Sequence, residues 1–241
     1  MINVYKFGPL DKICDPSPFC VKVEAYCRLV GIPYISQCGA RFLRSAPKGK
    51  LPYIDDNGTI IADSSFIINY LRATYHDTLD DHLTLTEKAI AHAFTRMIDE
   101  NLYWVLSFAR WQLAPNWPIL KNLFFRELPP LLREIVPILA RAKVTSALHK
   151  QGMGRHSETE IFEIGAQDLT ALSDLLSDKT YFFGDKPCSF DAVAYSILAQ
   201  FILSDSFSAP IFDKAKTYDN LVNFTQLFHQ RYFLDPASHD N

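Results

Sequence analysis

Hydrophobic and polar positions divide this chain into two regions of different period. Residues 4–7 read as a first strand, and a proline-rich loop fills 8–16. Behind Ser17-Pro18, which has the form of an N-cap with proline in the first turn, Phe19, Val23, Tyr26, Cys27 and Val30 recur at helical spacing until Gly31 stops them. Residues 33–35 give a weak second strand. Lys50-Leu51-Pro52 leads into the β-prone pair Tyr53-Ile54, Asp56-Asn57-Gly58 reads as a tight hairpin turn, and residues 59–61 return as a strand. Asp63-Ser64-Ser65 then opens a helix with Phe66, Ile67, Tyr70 and Leu71 on one face. The proline between an extended residue and a strand is a candidate cis bond. The order β-α-β, then β-β-α, predicts a thioredoxin-like sheet over residues 1–76.

From residue 83 the strand pattern disappears. Residues 83–111, 119–150, 158–178 and 189–204 favour helix, and Pro129-Pro130 and Pro137 are expected to break or bend the second of these. After Asp191 the last segment is apolar nearly all round, which predicts a buried helix. The polar stretch 77–82 reads as a linker, giving an α/β domain (1–76) followed by an all-α domain (83–241).

Composition narrows the function classes. The chain has 241 residues, of which 48% are apolar and 21% charged, the balance of a globular protein with a substantial core. A net charge of −3 offers no basic footprint for nucleic acid. The longest uncharged run, 192–204, is shorter than the roughly 20 residues a transmembrane helix needs, and the first residues lack a signal-peptide pattern. Five cysteines form neither a CxxC pair nor a zinc spacing, so reduced thiols in a cytoplasmic protein and no metal site are expected. His149 and His156 have no metal-ligating partners at useful spacing and read as surface residues.

Four local motifs, Ser17-Pro18-Phe19-Cys20, Leu51-Pro52, Asp63-Ser64 and Cys188-Ser189-Phe190-Asp191, occur in an order and spacing that resemble the glutathione transferase superfamily. The resemblance spans essentially the whole chain. The stretch GMGRHSETEIFEIGAQDLTALSDLL and Gly184-Asp185-Lys186-Pro187 are similar to its metaxin and failed-axon-connections branch. It implies a thioredoxin-like glutathione-binding domain followed by a helical bundle, glutathione as co-substrate, a small apolar electrophile as second substrate and a homodimer. Two departures stand out. Cys188 replaces the Ser or Thr of the capping box, so Ser189 is expected to take over the cap or the helix start to be looser, and the 8–16 loop is longer than in many transferases.

Glutathione's thiol must ionise before it attacks. With an ordinary pKa near 8.5 it is only a few per cent thiolate at pH 7, and lowering that by about two units requires roughly 2.7 kcal/mol. The resemblance puts Ser17 at the catalytic position, its hydroxyl donating to the sulfur. It puts Leu51 and Pro52 at the strand-like pairing with the cysteinyl unit, and Asp63 and Ser64 at the γ-glutamyl end. Arg41, Arg44, Lys48 or Lys50 would meet the glycyl carboxylate, Lys50 first among them as the neighbour of Leu51-Pro52. Tyr103, Trp104, Phe108 and Trp111 are candidates for the electrophile pocket. Each has a plainer reading: Ser17 as a helix cap alone, Asp63-Ser64 as a helix start, and the aromatic cluster as core. Cys14 on an exposed loop and Cys20, which also reads as a packed small residue, are the possible thiols of a glutathione-dependent oxidoreductase. A third reading, a non-catalytic metaxin-like adaptor, rests on the branch's association with protein import at mitochondrial membranes and on the arginine-interrupted apolar segment 119–150.

Overall fold

Ile2, Val4 and Lys6 alternate with the half-exposed Asn3 and Tyr5 along β1 (Ile2–Lys6), so one face of this strand is buried. In the computed structural model, which describes residues 1–234, β1 lies inside a four-stranded sheet of order β2-β1-β3-β4. It pairs in parallel with β2 (Tyr34–Cys38) and antiparallel with β3 (Tyr53–Asp56), and β4 (Thr59–Ala62) is antiparallel to β3. The parallel pair requires a crossover, which α1 (Pro18–Val30) provides. The β3–β4 turn takes positive φ at both central residues, 51° at Asn57 and 94° at Gly58, as the Asn-Gly pair predicts. The helix opened by Asp63 is α2 (Ser64–Tyr75).

The remainder is helical among the described residues. α3 (Leu85–Met97) continues through one π-type turn, Ile98–Leu102, into α4 (Tyr103–Trp111). Then come α5 (Trp117–Phe125), α6 (Pro130–Gln151), α7 (Glu158–Leu176), α8 (Ser189–Ile202), α9 (Pro210–Ala215) and α10 (Asp219–His229). The Pro129-Pro130 pair separates α5 from α6, but Pro137 does not break α6, which runs on through it. α9 and α10 lie beyond the predicted helical segments. Their signal was nonetheless present, since Leu221, Phe224, Thr225 and Phe228 form a buried stripe at helical spacing.

α8 is the predicted buried helix: every residue from Phe190 to Ile202 is buried, and the helix packs on α1, joining sheet and bundle. Its start corrects the expectation for Ser189. Asp191 accepts the backbone N–H of Cys188 at 2.7 Å and of Phe182 at 2.9 Å. Ser189 instead gives its N–H (2.7 Å) and hydroxyl (2.6 Å) to Asp80, which also pairs with Arg72 at 2.6 Å. Gly165 sets the approach of α7: a Cβ there would stand 2.8 Å from Val105 Cγ1 and 3.1 Å from Ile211 Cδ1. No helix among the described residues is long and apolar enough to cross a membrane.

Three residues beyond Gly165, Asp168 faces Asn101, whose amide donates to it at 2.7 Å. Burial raises the Asp168 carboxyl to about 6 against this hydrogen bond. The unfolded chain releases that proton near pH 3.9, so between those values the folded state holds more protons. The contribution is therefore complete below pH 4 and lost as pH rises through 6. Asp168→Asn is expected to be more stable than the wild type by about 1–2 kcal/mol at pH 8 and equal to it at pH 4. Urea unfolding at the two pH values measures this, and a constant difference would contradict it.

Candidate functional site

A cleft of about 1090 Å³ opens between the sheet domain and the helices. Its sheet-side wall carries Ser17, Lys48, Lys50, Leu51, Pro52, Asp63 and Ser64, so residues that the sequence nominated from three separate segments line one cavity. The Leu51–Pro52 peptide bond is cis. Asp63 holds φ 85° and ψ 127°, a backbone region that disfavours side chains, and caps α2 by accepting the Ser65 N–H at 3.0 Å. Such conformations persist where the surroundings enforce them and concentrate at ligand clamps. The α2 N-terminus directly behind Asp63 supplies a partial positive charge suited to a carboxylate. Lys48 and Lys50 line the cleft, whereas Arg41 does not and stacks on Phe42, its guanidinium 4.8 Å from the ring.

Ser17 begins α1, yet its side chain makes no capping hydrogen bond. The loop ahead of it is organised by Asp15, fully buried, whose carboxylate accepts the N–H groups of Phe7 (2.8 Å), Gly8 (2.9 Å) and Ser17 (2.8 Å). Burial raises the Asp15 carboxyl to about 7, against the pull of those hydrogen bonds. From the helical side, Gln200 Nε2 donates to the Asp15 carbonyl at 3.0 Å and Arg110 Nη1 to the Pro16 carbonyl at 2.7 Å. Further back, Asp11 accepts from Ser204 at 3.0 Å and from the Ser206 N–H at 3.0 Å. The long 8–16 loop is thus strapped to the helical domain immediately before Ser17.

Of the candidate thiols, Cys14 departs from expectation and Cys20 follows its plainer reading as a packed small residue. Cys14 is half-buried, not exposed, and burial pushes its thiol well above its ordinary pKa, with the Glu24 carboxylate nearby adding to the rise. Cys20 packs in a small cluster with Ala46, Leu51, Tyr53 and Ala62, and burial likewise raises its thiol, while a hydrogen bond with Ser17 pulls the other way. Neither lines the cleft.

Of the four aromatic candidates, Tyr103, Trp104 and Trp111 face the cleft, with Phe19 4.8 Å from Tyr103. Phe108 does not. Five residues past Tyr103, it lies about 140° around the helix and packs edge-on against Phe162 of α7 at 6.0 Å. Sequence reasoning also missed the polar wall. Lys22 of α1 pairs with Asp99 at 2.9 Å, and Arg96 bridges Asp99 at 3.1 Å and the Ser65 hydroxyl at 3.4 Å. A lysine on a helix and an Asp-Glu pair carry no local mark of pairing, but Lys22 falls among the buried helical positions of α1, which is the one available signal. No cluster suited to a metal ion occurs among the described residues.

Two family models match the chain: the glutathione S-transferase N-terminal domain over residues 18–117 and the glutathione S-transferase C-terminal domain over 165–228. The isoprene-epoxide–glutathione S-transferase of Rhodococcus sp. (strain AD45) is 40% identical over 204 residues, covering 82% of this chain and 85% of that protein. Failed axon connections of Drosophila melanogaster is 33% identical over 98% of this chain, which spans 59% of that protein's length. Human metaxin-2 is 24% identical over 88% of the chain and 81% of its own length. Among solved structures, a β-etherase of Sphingobium sp. strain SYK-6 aligns with TM-score 0.67 at 17% identity over 98% of this chain and 96% of its own. A glutathione S-transferase of Ceriporiopsis subvermispora, in complex with glutathione, aligns with TM-score 0.62 at 21% identity, covering 98% of each chain.

Proposed function

Because this chain belongs to the glutathione S-transferase family, we propose that it conjugates reduced glutathione to a small apolar epoxide, with Ser17 stabilising the thiolate. The observation that supports this reading is the convergence of Ser17, Leu51-Pro52 and Asp63-Ser64 on one wall of a cleft whose other wall carries Tyr103, Trp104 and Trp111. Glutathione lies along the sheet side. Its γ-glutamyl end meets Asp63, Ser64 and the α2 N-terminus, its cysteinyl backbone runs beside Leu51 and Pro52, and its glycyl carboxylate reaches Lys50. The thiol gives its proton to solvent as the Ser17 hydroxyl donates to the sulfur. The sulfur then forms a bond to one epoxide carbon, the carbon–oxygen bond breaks with its electron pair on oxygen, and that oxygen takes a proton from water. The epoxide comes from the Rhodococcus relative's name, and the aromatic wall suits the apolar part of such a substrate. A homodimer and a cytoplasmic location belong to the same reading.

Calorimetric titration of glutathione into wild type and Asp63→Ala tests the binding half. Removing the Asp63 carboxylate is expected to weaken binding at least about tenfold, the loss of one hydrogen bond to a charged group, with the circular dichroism spectrum unchanged. Equal affinities would remove Asp63 from the site.

A second reading, a non-catalytic adaptor, is favoured by the similarity to Failed axon connections along nearly the whole chain and by an exposed stripe on α6: Leu131, Leu132, Ile135, Ile138 and Leu139. Glutathione binding without turnover of any epoxide would put it first. The oxidoreductase reading is disfavoured, since burial raises both Cys14 and Cys20.

A further inference from the structure

Arg110 of α4 is 5% exposed and lines the cleft, yet no carboxylate lies within salt-bridge distance of it among the described residues. Its hydrogen bonds go to neutral oxygens: Pro16 O at 2.7 Å, Gln200 Oε1 at 2.8 Å and Gln200 O at 3.4 Å. Nε, buried, has no partner at all among the described residues, and the guanidinium sits 4.6 Å from the Phe207 ring centre. The other buried cations near the site differ. Lys6 has Glu24 at 2.7 Å and Lys22 has Asp99 at 2.9 Å. The charged and titratable groups that bear on Arg110 are Asp11 and Asp15 in the loop and Tyr103 on α4. Asp11 is occupied by Ser204 and Ser206, and Asp15 by three backbone N–H groups.

A buried cation without an adjacent anion is costly, and the cost falls when an anion binds nearby. The place where an anion would arrive is set by the geometry: Arg110 grips the carbonyl of the residue immediately before Ser17. We propose that Arg110 is the counter-charge of the glutathione sulfur, a positioning residue that holds the Ser17 loop through Pro16 and favours the thiolate through its field. This rests on the reading of the cleft as a glutathione site. It also gives the long 8–16 loop a purpose, because that loop carries Ser17 to Arg110, which holds the Pro16 carbonyl at 2.7 Å. Desolvation lowers the Arg110 pKa to about 9, so the guanidinium still carries its charge at neutral pH. The charge is therefore in place at neutral pH, where a bound thiol lowered by about two units ionises.

The experiment compares wild type, Arg110→Lys, Arg110→Gln and Gln200→Leu as full-length protein, each checked for folding by circular dichroism. The first readout is the ultraviolet absorbance of bound glutathione thiolate as a function of pH. Arg110→Gln is expected to raise the ionisation midpoint by about one unit, a tenfold change, as removal of one unit charge a short distance away should. Arg110→Lys restores most of it. Gln200→Leu loosens the same loop without removing charge and leaves the midpoint in place, although turnover falls. The second readout needs no turnover and no Arg110→Gln protein: wild type and Ser17→Ala are titrated with glutathione sulfonate, anionic at the sulfur position, and with neutral S-methylglutathione. Both proteins are expected to prefer the sulfonate about tenfold. Glutathione binding with an unmoved midpoint in Arg110→Gln, or no preference for the sulfonate, overturns this proposal alone. Failure of the wild type to bind glutathione overturns the reading of the cleft, and this proposal with it.

Discussion

Ser17→Ala is expected to lower kcat/KM for glutathione addition to an epoxide by about a hundredfold at pH 7, with glutathione affinity changed less than about threefold. One well-placed donor to a developing or full anion contributes about 2.7–4 kcal/mol to turnover in a desolvated site, and each 1.36 kcal/mol is a factor of ten. The affinity is expected to be insensitive because the proposed binding mode puts most of the tripeptide's contacts at Leu51, Pro52, Asp63 and Ser64, away from the sulfur. The substitution also separates the two readings of this residue. Were Ser17 a helix cap, its loss would cost about 1 kcal/mol of stability. Its side chain caps nothing in the structure, and the α1 entrance is held by the Asp15 carboxylate instead. Thermal unfolding of Ser17→Ala should therefore match the wild type within about 0.5 kcal/mol. Steady-state kinetics within threefold of wild type would show that this hydroxyl does not act on the sulfur. Ser17→Thr, which keeps the hydroxyl, should recover most of the rate.

Lys6→Met is expected to destabilise the fold by about 3–5 kcal/mol, the cost of leaving a buried carboxylate without its cation. Lys6 and Glu24 pair at 2.7 Å with side chains 6% and 1% exposed, and Lys6 also donates to the Cys14 carbonyl at 3.0 Å. Once Lys6 is gone, Glu24 keeps the Ser36 hydroxyl as a donor but has no cation within ion-pair distance among the described residues. For a chain of this size the loss corresponds to a melting temperature lower by roughly 10 °C. Two controls define the cause. Acidification should narrow the deficit, because protonating the stranded carboxylate removes the uncompensated buried charge. The double variant Lys6→Met/Glu24→Met should recover most of the stability, since an apolar pair of similar volume replaces an ion pair at little cost. A single variant within 1 kcal/mol of wild type would mean that solvent reaches Glu24.

The sequence was most informative where the chemistry is local. Ser17-Pro18, Asn57-Gly58 and Asp63-Ser64 are short segments whose backbone preferences act within a few residues, and the structure has α1 start at Pro18, a positive-φ turn at 57 and 58, and α2 start at Ser64. The buried character of α8 was equally legible, because an uncharged run from 192 to 204 leaves no polar face to present to water. Where it misled, a distant partner had intervened. The residues around 188 lead one to expect either Ser189 capping its own helix or a looser start, but Asp80, far away in sequence, takes both the Ser189 N–H and its hydroxyl. Phe108 belongs to the aromatic cluster by composition, yet its angle around α4 turns it onto Phe162. Cys14, on a loop that reads as exposed, is covered because the loop folds back over Lys6 and Glu24.

The list of elements, the local turns and caps that start them, and the four motifs that carry the family resemblance are therefore readable from the residues alone. These depend on φ/ψ preferences and on hydrophobic period, which act over a few residues and need no knowledge of the rest of the chain. Which of the buried charges are paired is set by three-dimensional packing. Lys22 finds Asp99 and Lys6 finds Glu24, while the hydrogen bonds of Arg110 among the described residues go to carbonyl and amide oxygens. Coulomb interactions depend on distance and on the surrounding dielectric, and both are set by packing between segments as far apart as residues 15 and 200.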